Sequence, residues 1–289
     1  MIAGWLMVMG VVVGGVWGAG KLWPATMTFV MKERNDGKIL VDKVRGSVEK
    51  LQGSYGFWVE NLTDGVSYGW NEGMQVEAAS MIKVPIMLAV EKKIQTGEIT
   101  LTDKYILAER DRRTGSGPME YYAAGTEVTI DKVMEEMGKK SDNTGAAAMT
   151  RKVGDQAILD VISELKMEDT DWEEKMTTAR DMGLMWKEVY RGEILKDGKE
   201  RFWNYLEESI YEDRITLGLP EEGVRLVHKV GTGDGVWEDG GFVISLDSSG
   251  SADPFVLVVV NKDVDMEQAK TAVAEISRLV WEFQKGLKK

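Results

Sequence analysis

The chain has 289 residues, with 48 acidic side chains against 36 basic ones and a net charge of −12. That balance argues against nucleic acid or an anionic lipid surface as a partner, because both reward clustered Lys and Arg. No cysteine is present and His228 is the single histidine, which excludes disulfides, thiol chemistry, Cys-ligated metals and any multi-His zinc site.

In chain order, Met1 to Gly20 carries no charge and is rich in Val, Met, Trp and Gly. About twenty apolar residues is the length of a membrane-spanning helix, and Trp5, Trp17 and Trp23 suit interfacial positions. No small-x-small cleavage site follows, since Trp17 or Trp23 stands where a small residue is wanted before Ala19 or Ala25. Residues 1–31 are therefore expected to be an uncleaved membrane anchor with a linker, a cleaved signal segment being the alternative. Lys32 to Lys38, with Asn35-Asp36-Gly37, reads as linker or turn.

Val41 to Leu51 fits an amphipathic helix. Tyr55–Glu60 and Val66–Trp70 fit strands, and Thr63-Asp64-Gly65 signals the hairpin between them. A helix is expected from Ser80 through Val90, with Pro85 tolerated only if it sits in an early turn. Helices follow at Ile130–Lys139, Thr144–Val153, Gln156–Leu165, Thr178–Tyr190 and Glu200–Glu208. Strands return at Val224–Lys229, Gly241–Ser245 and Phe255–Val260, before a closing amphipathic helix at Ala269–Phe283. The fold class is α/β in the α+β sense. An antiparallel sheet is built from both chain ends and flanked by helices, with a helical region at about 80–218 inserted. Residues 32–289 would form this one domain.

Ser80-Met81-Ile82-Lys83 places a hydroxyl and an amine three residues apart, on one face of a helix. A serine needs a base to become a nucleophile, and a lysine supplies one when burial or a nearby cation keeps it neutral. The same spacing recurs at Ser47–Lys50 and Ser163–Lys166, so spacing alone does not select Ser80. Its downstream companions do. Ser141-Asp142-Asn143 follows, then Lys229-Val230-Gly231-Thr232-Gly233 on an expected strand. Ser-x-x-Lys, Ser-Asp-Asn and Lys-x-Gly in this order resemble the motif set of serine β-lactamases and penicillin-binding proteins. The resemblance is to class A β-lactamases and runs from about Val41 to the C-terminus. It includes Gly115-Ser116-Gly117-Pro118, Gly125–Ile130, Thr177–Met182 and Leu219-Pro220.

The resemblance implies a serine hydrolase without cofactor or metal. Ser80 is the nucleophile that forms an acyl-enzyme, Lys83 its base, and Ser141 the relay to the leaving nitrogen. The Lys229 charge helps keep Lys83 neutral and holds the substrate carboxylate, with Thr232 beside it. Asn143 binds the substrate's side-chain amide, and Gly231 belongs to the same substrate-binding strand. The backbone N–H groups of Ser80 and Thr232 form the oxyanion hole. Arg214 is a candidate second contact for the carboxylate, though as a single arginine it is read as solvated on the surface, and His228 as a structural strand residue.

Two departures bear on function. Valine stands at position 230 where the family carries threonine, and strand alternation makes that loss tolerable. The family's Arg-x-Glu-x-x-Leu-Asn loop, whose Glu activates the deacylating water, has no counterpart between Asn143 and Thr177; Glu168, Glu173 and Glu174 read as surface acids. Three readings stay open: a β-lactamase-like hydrolase with slow β-lactam turnover, a D-Ala-D-Ala peptidase resembling penicillin-binding proteins, and a membrane-anchored module that captures β-lactams or peptidoglycan stems. The protein is expected as a monomer at the cell membrane with its catalytic part outside the cytoplasm, or as a secreted form if the signal is cleaved. Its partner is a small-molecule substrate.

Overall fold

A computed structural model describes residues 23–246 and 253–287. The apolar segment Met1–Gly20, expected to be an anchor, lies outside them. Among the described residues no helix is long and apolar enough to cross a membrane. The chain divides into two compact units, 1–43 and 44–289. Helix α1 spans Trp23–Val48 and so covers the polar stretch 32–38 that reads as a linker in the sequence. Good helix formers on both sides of Asn35-Asp36-Gly37 prevail over the local turn signal.

The second unit carries a five-stranded sheet. Its strands are β1 (Ser54–Asn61), β2 (Ser67–Trp70), β7 (Val224–Gly233), β8 (Val236–Ser245) and β9 (Phe255–Lys262). They lie in the order β2-β1-β9-β8-β7, and every neighbouring pair is antiparallel. Strands from both ends of this unit therefore meet in one sheet, as the sequence pattern requires. β9 in the middle is buried along nearly its whole length and reads as the continuous apolar run Phe255-Val256-Leu257-Val258-Val259-Val260. Helix α8 (Met266–Leu287) turns Ala269, Ala272, Val273, Ile276 and Val280 inward, positions that recur with helical spacing.

Between the two sets of strands lies a helical region: α2 (Lys83–Gln95), α3 (Ile130–Lys139), α4 (Asn143–Val153), α5 (Asp155–Glu164), α6 (Ala179–Arg191) and α7 (Lys199–Leu206). Short pairs supplement it, β3 (Val76–Glu77) with β6 (Met176–Thr177) and β4 (Lys104–Ile106) with β5 (Glu127–Thr129). α2 is the buried centre, with Val84 through Val90 all inaccessible. Pro85 stands in its first turn, where its missing N–H breaks no helical bond. The β7–β8 hairpin is longer than the pattern indicates. β8 begins at Val236, not Gly241, because Asp234-Gly235 forms a tight turn with Gly235 at φ +66°. Asp-Gly is the strongest short hairpin signal a sequence offers, and it lies where the reading from hydrophobicity saw none.

Candidate active site

Ser80 sits in a 3-10 turn, Ala79–Ile82, immediately before α2. A 3-10 turn eclipses positions i and i+3, so Lys83, the first residue of α2, projects onto Ser80. The Lys83 Nζ donates to Ser80 Oγ at 2.9 Å. Ser141 Oγ at 3.0 Å, the Ser141 carbonyl and Asn143 Oδ1 at 2.6 Å also lie within hydrogen-bond distance of this Nζ, whose N–H groups, three at most, are shared among the four oxygens. One side chain thus joins Ser80, three residues before it, to Ser141 and Asn143 of the second motif, 58 and 60 positions after it. Ser47 lies on α1 and its hydroxyl bonds the Val44 carbonyl, while Ser163 lies on α5; neither takes part.

The Ser141-Asp142-Asn143 segment is held by its flanks. Asp142 is fully buried and caps α4, accepting from Gly145 N–H at 2.6 Å and from Met119 N–H at 2.8 Å. The Met119 bond exists because Gly117, at φ +86°, lets its backbone run against Asp142; a Cβ there would collide with the Asp142 carboxylate. Ser116 completes the clamp, its carbonyl accepting from Asn143 N–H at 3.0 Å. The Gly115–Pro118 segment is therefore the support of the second motif. Ala79 at φ +42° and Ser141 at φ +54° adopt left-handed backbone without being glycine, strain of order 1 kcal/mol each that only the surrounding packing sustains.

Burial governs the electrostatics. Lys83 is 4% exposed, and desolvation lowers its pKa to about 7, with the Asp142 charge opposing. Lys229, 1% exposed on β7, is pushed well below the usual lysine range, first by burial and then by the charge of Lys83. Of the two causes the sequence offers for a neutral Lys83, burial and the Lys229 charge, burial is the larger, and the Lys83 charge acts in turn on Lys229. Val230 alternates with Lys229 along β7 and is buried, so its apolar side chain suits the position.

Arg214 corrects the expectation of a solvated surface arginine. It is 1% exposed, stacks at 3.9 Å from the Trp237 ring centre, and donates to Thr232 Oγ1 at 2.6 Å and to the Glu238 carbonyl at 3.3 Å. The Arg214 guanidinium thus stands against Thr232, three residues along β7 from Lys229. No sequence motif marks Arg214; its partners come from β7 and β8. His228 is buried between carboxylates, with Nδ1 2.9 Å from Asp239 and Nε2 3.4 Å from Glu212. Burial alone would lower its pKa, but the two carboxylates raise it to about 9. Both ring nitrogens are engaged, which agrees with a structural role.

The open cleft at Ser80, about 910 Å³, is lined by Ser80, Lys83, Asn143 and Thr232, and also by Trp172 and Lys175 of the segment between α5 and α6. The Lys175 carbonyl accepts from Ala78 N–H at 2.7 Å, which ties that segment to the nucleophile turn. Its acids do not face the cleft. Glu168, Glu173 and Glu174 are exposed, and the Lys175 ammonium lies 3.3 Å from the Trp172 ring centre. The carboxylates that do line the cleft are Glu77, Asp111 and Asp155. Among the described residues no group of acids and His is arranged to hold a metal ion.

Comparison with known proteins places this geometry. A family model described as a beta-lactamase enzyme family matches residues 39–284. A β-lactamase structure from Sphaerobacter thermophilus superposes with a TM-score of 0.78 at 26% identity, covering 86% of this chain and 97% of that one. A structure of PBP-A superposes with a TM-score of 0.77 at 22% identity, covering 84% and 94%. Among curated proteins, D-alanyl-D-alanine carboxypeptidase DacF of Bacillus subtilis is 24% identical over 165 residues, 52% of this chain; the chain spans 42% of that relative's length. The sheet order and flanking helices described above are those of the β-lactamase/transpeptidase-like fold.

Proposed function

We propose, for a chain that belongs to the beta-lactamase enzyme family and is a serine hydrolase of that kind, that Ser80 is acylated by β-lactams and that the acyl-enzyme is hydrolysed slowly. The observation that carries this reading is the single buried amine of Lys83, hydrogen-bonded at once to Ser80 Oγ and Ser141 Oγ. With a pKa lowered to about 7, Lys83 is substantially neutral at neutral pH and can take the Ser80 proton as Oγ attacks the carbonyl. The proton then passes through Ser141 to the leaving nitrogen. Negative charge that develops on the carbonyl oxygen is met by the Ser80 and Thr232 backbone N–H groups; β7 is the edge strand of the sheet, so alternate N–H groups on it are not used by β8. Lys229, Arg214 and the Thr232 hydroxyl form the carboxylate pocket beside Gly231. Asn143 keeps a second N–H for the substrate amide, having given one to the Thr114 carbonyl at 2.8 Å.

Slow release follows from the segment between α5 and α6. Its glutamates point to solvent. Of the carboxylates lining the cleft, Asp111 is held by Arg151 at 2.6 and 2.8 Å and Asp155 accepts the Trp172 indole N–H at 2.9 Å. The third, Glu77, lies beside Gly233 on the β7 side of the cleft, so none of the three comes from the segment that carries the deacylating Glu in the family. A related capability is printed for a structural neighbour, a PBP-A variant in an acyl-enzyme complex with penicillin G. The D-Ala-D-Ala peptidase reading rests on the carboxypeptidase relative and uses the same acylation apparatus.

Mixing the purified full chain with a chromogenic cephalosporin, while following absorbance and intact mass, tests the proposal. The expected result is rapid formation of one covalent adduct on Ser80 followed by slow turnover, both abolished in Ser80→Ala. Fast sustained turnover would refute slow release, and absence of any adduct would refute acylation of Ser80.

A further inference from the structure

The cleft extends well past the serine. From Asn143 it follows one face of α4, where Ala146, Ala147, Thr150 and Arg151 all line it. Steps of three and four residues keep these side chains on one side of the helix, and eight residues of α-helix cover about 12 Å. Alanines leave the floor open for a ligand group that continues beyond the amide held at Asn143. The flank of this arm comes from the segment after β4, through Arg110 and Arg113. That segment is fixed to the site: the Thr144 hydroxyl accepts from Arg113 N–H at 3.0 Å and donates to the Arg113 carbonyl at 3.1 Å.

The charges there are unusual for this chain. Every other arginine whose side chain is described has a carboxylate within ion-pair distance. Arg110 and Arg113 do not. Arg113 Nη1 donates only to the carbonyls of Arg110 and Arg112, at 2.9 and 2.8 Å, and the Arg110 side chain makes no hydrogen bond or ion pair among the described residues. In a molecule with a net charge of −12, acids are abundant, yet both unpaired guanidinium groups face one arm of one cleft. The acids that line the same cleft do not cancel them. Asp111 is paired with Arg151, the Asp155 carboxylate accepts from the Trp172 indole and acts on the Lys175 ammonium, and Glu77 lies beside Gly233 of β7.

We infer that Arg110 and Arg113 form a subsite for a carboxylate carried on the acyl side of the substrate, beyond the amide that Asn143 binds. The inference rests on the reading of Ser80 as the acylated residue only for the direction in which the substrate lies. Guanidinium forks match carboxylate geometry, and the low-salt field of two unpaired cations draws an anionic substrate into the cleft. The carboxylate could belong to a β-lactam side chain or to an acidic residue of a D-Ala-D-Ala peptide; the chemistry recognised is the same.

The test is a binding measurement that needs no acylation. Calorimetry on the full chain carrying Ser80→Ala, at low and at high salt, compares benzylpenicillin with α-carboxybenzylpenicillin, and acetyl-Gln-D-Ala-D-Ala with acetyl-Glu-D-Ala-D-Ala. The charged member of at least one pair is expected to bind about tenfold more tightly at low salt, a preference weakened by salt and lost when Arg110→Gln and Arg113→Gln are added. The pair that shows the larger preference identifies the source of the carboxylate. Equal affinity within both pairs, no measurable binding of any probe, or a preference that survives both arginine substitutions would overturn the inference. Adduct formation by benzylpenicillin on the unsubstituted protein is read separately, so failure of the Ser80 chemistry is told apart from failure of the subsite.

Discussion

The corner around Lys83 and the segment between α5 and α6 border the same cleft and differ in every physical respect. In the first, one buried amine holds Ser80, Ser141 and Asn143, and every flank, from Asp142 to Gly117, is spent on keeping that geometry. In the second, acidic side chains face water and the inward contacts are those of Trp172 and Lys175. Buried, preorganised polar groups meet developing charge far better than solvated ones do. On the proposed function, the contrast is between acylation of Ser80 and slow hydrolysis of the product.

Three changes break or sharpen this contrast. Removing the amine has the largest effect: Lys83→Ala is expected to slow acylation on the order of 10³-fold, measured by stopped-flow with a chromogenic cephalosporin. In the unsubstituted protein the acylation rate should climb with pH and level off above a midpoint near 7, because burial holds the Lys83 pKa at about 7 and the neutral amine is the active form. A rate independent of pH between 5 and 9 would contradict Lys83 as the base. Gly117→Ala is next. The positive φ and the collision with Asp142 should cost about 2 kcal/mol of stability or more, seen in urea unfolding, and should slow acylation by displacing Ser141. Least affected is the outer segment: Glu168→Gln, Glu173→Gln and Glu174→Gln should each change the deacylation rate by about twofold at most. A tenfold loss in any of them would show that a solvent-facing carboxylate does reach the ester.

Much of this was legible along the chain. β9 announces itself as an unbroken apolar run, the terminal helix by its spacing, and the sheet from both ends by the distribution of strands. The three motifs single out Ser80 from Ser47 and Ser163, because order along the chain is itself information. The hairpin at Asp234-Gly235 was readable and was masked by the glycines and acids of Asp239-Gly240-Gly241, which look unlike a strand until their burial in the sheet is known. Helix α1 was obscured by a local Asn-Asp-Gly signal inside a longer helical stretch.

Residue types, order and spacing single out a serine, a lysine and a second serine as the candidate chemical parts, since no cysteine and only one histidine are available for alternatives. Only the folded chain decided what state those parts are in. Desolvation sets the charge of Lys83 and Lys229, and it depends on neighbours drawn from α2, α4 and β7. Arg214 becomes a buried cation because β7 and β8 enclose it against Trp237 and Thr232. Arg110 and Arg113 stand out for the partners they lack, and pairing is a property of three-dimensional distance, on which a linear sequence is silent.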